Sequence, residues 1–125
     1  MLTTAMLLTC GSAAHAEPAQ MPKTLHGFWC LTNTDKDHSF YQRFNKKLDV
    51  SRAYCGTHMQ IEASDYTLEG RAIEGKTCKI SKVERSTKGF VVIQGLCDDG
   101  EKTYNDVTMF WLKGRTLAVG LWPLD

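Results

Sequence analysis

From residue 25 to residue 122 the segments between turn signals are short, several of them alternating apolar with polar side chains, and no stretch keeps a 3.6-residue period for three turns. Short runs rich in Val, Ile, Phe, Tyr, Trp and Thr alternate with turn formers, which is the pattern of strands. The predicted strands are LHGFWCLT (25–32), FYQRFN (40–45), THMQIEA (57–63), YTLEGRAIE (66–74), TCKISKVER (77–85), FVVIQGLC (90–97), KTYNDVTMFWL (102–112) and TLAVGLW (116–122). Between them stand Ser64-Asp65, Ser86 to Gly89, Asp98-Asp99-Gly100 and Lys113-Gly114, each with a residue suited to tight reversal. KKLDVSRAYCG (46–56) fits a strand least well and leaves room for a helical turn. The expected fold is all-β: a small antiparallel meander of about eight strands, a barrel or a strongly curved sheet.

The spacing of Cys78 and Cys97 about the Ser-Thr-Lys-Gly turn sharpens this picture. With Thr87-Lys88 as the tip of a two-residue hairpin, Cys78 and Cys97 face each other directly. With Gly89 as a left-handed position after a three-residue loop, the register slips by one, an error that a bulge elsewhere absorbs. Either way this pair is the expected disulfide. Cys30 with Cys55 follows by elimination, with no register argument of its own.

Composition sets the remaining bounds. A chain of 125 residues holds one domain and one core. Fifteen Lys plus Arg against 14 Asp plus Glu give a net charge of +1, which argues against nucleic acid as a partner. No apolar run reaches the roughly 20 residues of a membrane-spanning helix, so no integral membrane segment is expected. MLTTAMLLTCGSAAHA, ending in the small-x-small triplet Ala14-His15-Ala16, reads as a signal peptide over residues 1–16. Residues 17–24 then form an N-terminal extension and residues 25–125 a β domain. A rival processing event makes Cys10, in Leu7-Leu8-Thr9-Cys10-Gly11, a lipid anchor. Cleavage after Ala16 leaves Cys30, Cys55, Cys78 and Cys97, an even set without the close ligand pairs of a zinc site. Two disulfides and a periplasmic or secreted location are therefore expected.

Gly27-Phe28-Trp29, at the start of the first predicted strand, resembles the Gly-x-Trp opening of lipocalin-like barrels, a feature shared by small periplasmic barrels that include proteinase inhibitors. In layout the chain is also similar to small Cys-paired secreted alphaproteobacterial proteins of unknown function. The resemblance implies that Trp29 plugs one end of a barrel. Alternation along the strand sends Trp29 and Leu31 to one face and Phe28 and Cys30 to the other, so a Cys30 disulfide would clamp the outer wall. The expected core is Trp29, Phe90, Val92, Trp111 and Leu117. Val107, Met109, Phe110 and Trp111 form a nearly continuous apolar run, expected to be covered on both faces or to meet a partner on one.

Candidate chemistry is sparse. His26, His38 and His58 lack a hydrolase motif, and Gly-x-Ser-x-Gly and His-Glu-x-x-His are absent, so no catalytic residues are assigned. Asn33, Asp35 and Asp37 begin like a calcium loop, but His38 stands where the sharp-turn Gly belongs and Phe44 where the bidentate Glu belongs. No metal and no cofactor are expected. Lys76, Lys82 and Lys88 would share one face of a strand, as a solvated edge or a surface for an anionic partner. The expected function is non-catalytic binding outside the cytoplasm, of another protein in the manner of a hydrolase inhibitor. A lipocalin-like carrier of a small apolar ligand is the alternative, and a small periplasmic enzyme the third reading.

Overall fold

Eight strands form where the alternating runs stand: β1 (Gly27–Thr34), β2 (His38–Phe44), β3 (Thr57–Ile61), β4 (Asp65–Gly70), β5 (Lys76–Arg85), β6 (Phe90–Asp98), β7 (Thr103–Lys113) and β8 (Thr116–Gly120). They belong to a computed structural model of the chain, which describes residues 19–44, 55–70 and 75–121. The expected signal peptide, Cys10, Trp122 and nearly all of the 46–56 segment lie outside the described residues. Every pairing is antiparallel, and the strands close into a barrel in the order β1-β2-β8-β7-β6-β5-β4-β3, with β3 returning to β1. From β3 to β8 the chain is a meander. The first hairpin is set in the other way round: β1 lies between β2 and β3, and β2 meets β8.

Cys78 faces Cys97, and the two are disulfide-bonded with their Cα atoms 4.0 Å apart. Both registers considered for this hairpin are present in it. Near the turn the ladder runs Lys82 to Gln94 and Arg85 to Val91, the register of a three-residue loop with Gly89 at φ +97°. A bulge between Ile80 and Lys82 then shifts the ladder by one and brings Cys78 opposite Cys97. Ser81, the extra residue, donates its hydroxyl to the Gln94 carbonyl at 3.2 Å. Thr32 does the same at the β1 bulge, donating to the Phe40 carbonyl at 3.1 Å.

The inward-facing set comprises Trp29, Tyr41, Met59, Ile61, Tyr66, Cys78, Ile93, Cys97, Phe110 and Leu117, all buried. Tyr66 meets Phe110 edge to face at 5.4 Å, a favoured aromatic geometry. Cys30 and Cys55 form the second disulfide. Both are buried yet stand outside this cluster, because Cys30 points away from its neighbour Trp29.

One end of the barrel is plugged from the N-terminal side. A 3₁₀ turn, Lys23–Leu25, precedes β1 and buries Leu25 together with Met21. The Met21 N–H donates to the Ala63 carbonyl at 2.8 Å, and the Trp29 indole N–H donates to the Leu25 carbonyl at 2.9 Å. The Arg43 guanidinium lies 4.2 Å from the Trp29 ring centre and donates to the carbonyls of Thr24 and His26. The backbone explains the glycine of Gly27-Phe28-Trp29: its φ of +132° is one that side-chain-bearing residues rarely adopt, and a Cβ there would also meet the tip of Arg43. Met21, within the expected 17–24 extension, thus packs into the barrel beside Leu25.

No helix among the described residues is long and apolar enough to cross a membrane.

Candidate binding surface

Two corrections to the sequence reading define the outer wall. Trp29 and Leu117 lie in the core, but Phe90, Val92 and Trp111, expected beside them, point outward. Their immediate neighbours Val91, Ile93, Phe110 and Leu112 fill the interior, and alternation turns the next side chain out. Cross-strand register groups the outward residues into two rows that run across four strands. One row is Phe90, Trp111 and Phe40, with the buried Ala118 between the last two; the other is Val92, Met109, Gly120 and His38. The Phe90 and Trp111 rings are 5.9 Å apart. Further along the same wall, Val107 and Leu96 are 48% and 49% exposed.

The second correction concerns the lysines. Lys76, Lys82 and Lys88 do not share a face, because the bulge at Ser81 reverses the alternation between Lys76 and Lys82. Lys82 is exposed beside Glu84, and Lys88 stands in the turn. Lys76 points inward and pairs with Asp106 at 2.9 Å.

The cationic surface lies elsewhere. The up-and-down course puts the β5–β6 and β7–β8 turns at the plugged end, and they bring Arg85, Lys88, Lys113 and Arg115 together without a carboxylate in either turn. Lys113 Nζ sits 5.1 Å above the Trp111 ring, and Gly89 passes close to the same indole. Arg115 and Arg43 also border a cleft of about 410 Å³ beside Trp29 and Leu112. The opposite end carries the Asp35-Lys36-Asp37 and Asp98-Asp99-Gly100-Glu101 turns. Asp35 accepts the N–H groups of Asp37 and His38, and Asp99 those of Glu101 and Lys102. These bonds hold both carboxyls below the usual Asp value. Among the described residues, the β5–β6 and β7–β8 turns are thus basic and the two turns of the opposite end mainly acidic, while the β3–β4 turn at the plugged end carries Glu62 and Asp65.

The mouth at the acidic end holds the interior's polar groups. Lys76, Asp106, Thr108 and Ser39 border an opening of about 360 Å³ with the Asp35–His38 loop. Burial lowers the tendency of Lys76 to hold its proton, but the hydrogen bond to Asp106 and the neighbouring Tyr66 and Asp106 charges outweigh it and raise its pKa. Burial also raises Tyr66 and pushes Tyr41 up to about 12. Below this mouth the barrel is filled by the aromatic and aliphatic side chains of the core.

The three histidines sit apart from one another. His26 bonds the Met21 carbonyl at the plugged end, His38 Nδ1 lies 3.6 Å from Asp35 at the other end, and His58 Nε2 lies 3.4 Å from Glu69 on the wall. In the Asn33–Asp37 stretch, Asn33 and Thr34 are the last residues of β1, and residues 35–37 form the turn to β2, held by Asp35.

Comparison of the chain with protein-family models, with curated proteins and with solved structures finds no match.

The run Val107, Met109, Phe110 and Trp111 already offered an outward wall as one of its two readings, whereas the grouping of the basic turns depends on strand order and has no local signal. The run Val107–Leu112 cannot bury both faces of a strand in a closed barrel of single-layer wall.

Proposed function

We propose that the chain is an exported, non-catalytic protein-binding module, of the kind a hydrolase inhibitor on a lipocalin-like barrel would be. The observation that carries this reading is the outward apolar wall of β2, β6, β7 and β8 beside turns rich in Lys and Arg. Apolar area contributes affinity, and charge at the rim selects the partner and speeds encounter. The matching partner is a protein surface with an apolar patch edged by carboxylates. Two disulfides fit an oxidising compartment, and the N-terminal signal-like stretch supports export to the periplasm or beyond. The carrier reading is weaker, because large side chains occupy the interior that an apolar ligand would need.

The test is a photoreactive residue at Val107, with a control at Lys36 in the turn of the acidic end, in cells that make the protein. A discrete protein adduct at Val107 alone, lost with Trp111→Asp and matched by inhibition of the captured hydrolase, is the expected result. Saturable binding of an apolar fluorescent probe at one site, unchanged by Trp111→Asp, would overturn the reading in favour of a carrier.

A further inference from the structure

We propose that the outer face of the β6–β7 ribbon is self-complementary, and that a second copy of the chain, packed antiparallel, covers it until another partner takes its place. This rests on the reading of that wall as a binding surface and adds what occupies it at rest. Five outward pairs run along the ribbon: Phe90 with Trp111, Val92 with Met109, Gln94 with Val107, Leu96 with Asn105, and Asp98 with Thr103. The first pair adjoins the basic turns and the last adjoins the acidic turn Asp98–Glu101. Gln94 and Val107 are the midpoint.

A two-fold axis lying in the contact plane and crossing the strands at that midpoint brings opposite ends together. Val107 then meets the second copy's Val107, Leu96 meets its Val92, and Lys113 reaches the level of its Glu101. Phe90 arrives over a hollow of about 250 Å³ lined by Thr77, Lys79, Leu96, Cys97, Asp98 and Thr103. A parallel arrangement would set the basic turns against each other, so charge selects the antiparallel one.

Area sets the strength. A ribbon of nine residues, taken with one flanking strand on each side, offers at most roughly 30 by 19 Å, or about 1,100 Å² counted over both copies, because the flanking strands curve away around the closed barrel. That is close to the lower limit of roughly 1,000 Å² for a stable interface. The charged ends must therefore contribute, and the dimer is reversible and salt-sensitive.

Sedimentation equilibrium of the protein with both disulfides formed, at low and high salt, tests this. A monomer–dimer equilibrium is expected, with the dissociation constant rising about fivefold or more at high salt. Val107→Lys sets like charges across the axis and abolishes the dimer, while the melting curve of the half-exposed site stays in place. Lys113→Glu and Glu101→Lys each weaken the dimer, and the two together in one chain restore it. A single species of monomer mass at every concentration overturns the proposal, as does a dimer that survives Val107→Lys or a double reversal that restores nothing. A chain that stays monomeric yet gives the Val107 adduct with another protein overturns the homodimer and leaves the binding wall standing.

Discussion

Reducing both disulfides should remove most of the stability of this barrel. The bonds join residues 25 and 19 positions apart, and the two loops do not overlap, so their effects on the unfolded chain add to first order. In the chain-entropy model each contributes about 3.4 kcal/mol, or about 7 kcal/mol together. Net stabilities of single domains lie at roughly 5–15 kcal/mol, so the loss is a half or more. With each 1 kcal/mol moving the midpoint of such a domain by roughly 4–8 °C, the reduced and alkylated protein should melt tens of degrees below the oxidised one, followed by near-UV circular dichroism. The two bonds are not equivalent. Cys78 and Cys97 are fully enclosed in the core, whereas Cys30 and Cys55 lie on the outer wall with 4% exposure each. Cys78→Ala with Cys97→Ala should thus cost more than Cys30→Ala with Cys55→Ala, because it also empties packed interior volume. Timed alkylation and mass spectrometry should show the outer bond reduced first. A reduced protein that melts within a few degrees of the oxidised one would refute this reasoning and mean that the core suffices alone.

Three further outcomes follow from the interior and the plug. Arg43→Ala removes the cation stacked on Trp29 and two hydrogen bonds to the plug, at about 1–2 kcal/mol by urea melts, with Trp29 fluorescence changing in the native state. Lys76→Met leaves the half-buried Asp106 without its cation and should cost about 1–3 kcal/mol, while adding Asp106→Leu should recover most of it; a double variant no better than the single would contradict the ion-pair account. Tyr41, neutral in the folded barrel up to about 12, ionises near 10 once unfolded. The folded state then holds the extra proton between these values, so stability is intact below pH ~10 and falls as pH rises to 12, by about 3 kcal/mol for this residue. Tyr41→Phe should flatten that decline in alkaline melts.

What could be read from the sequence was what local patterns control. Strand positions, turns and the Cys78–Cys97 pair depend on alternation and on residues such as Ser86 and Gly89, whose turn bonds are local. What could not be read depends on parity carried across a bulge or on contacts distant in sequence. One inserted residue at Ser81 moved Lys76 inside, and the insertion leaves no mark in composition. Phe90, Val92 and Trp111 look like core residues because hydrophobicity does not say which side of a wall is the inside. The strand order was equally hidden, since β1 pairs with both β2 and β3 through contacts that no local pattern announces. Arg43 reads as an ordinary strand cation until Gly27 and the plug are brought against it.

The bulge also explains why turn and disulfide can coexist, and this can be tested by deletion. The three-residue loop at Thr87–Gly89 fixes one register, and the cysteines need another by one residue. Ser81 takes up that difference. Removing it joins Ile80 directly to Lys82, which leaves Lys82 opposite Gln94, Ile80 opposite Gly95 and Cys78 opposite Cys97 in one unbroken ladder. A chain lacking Ser81 should therefore still form the Cys78–Cys97 bond, seen by peptide mapping. It should melt lower all the same, because the bulge supplies local bend and twist that help the sheet close. Scrambled or free cysteines in the deletion variant would mean that the facing pair is set by the barrel as a whole and not by the arithmetic of this hairpin.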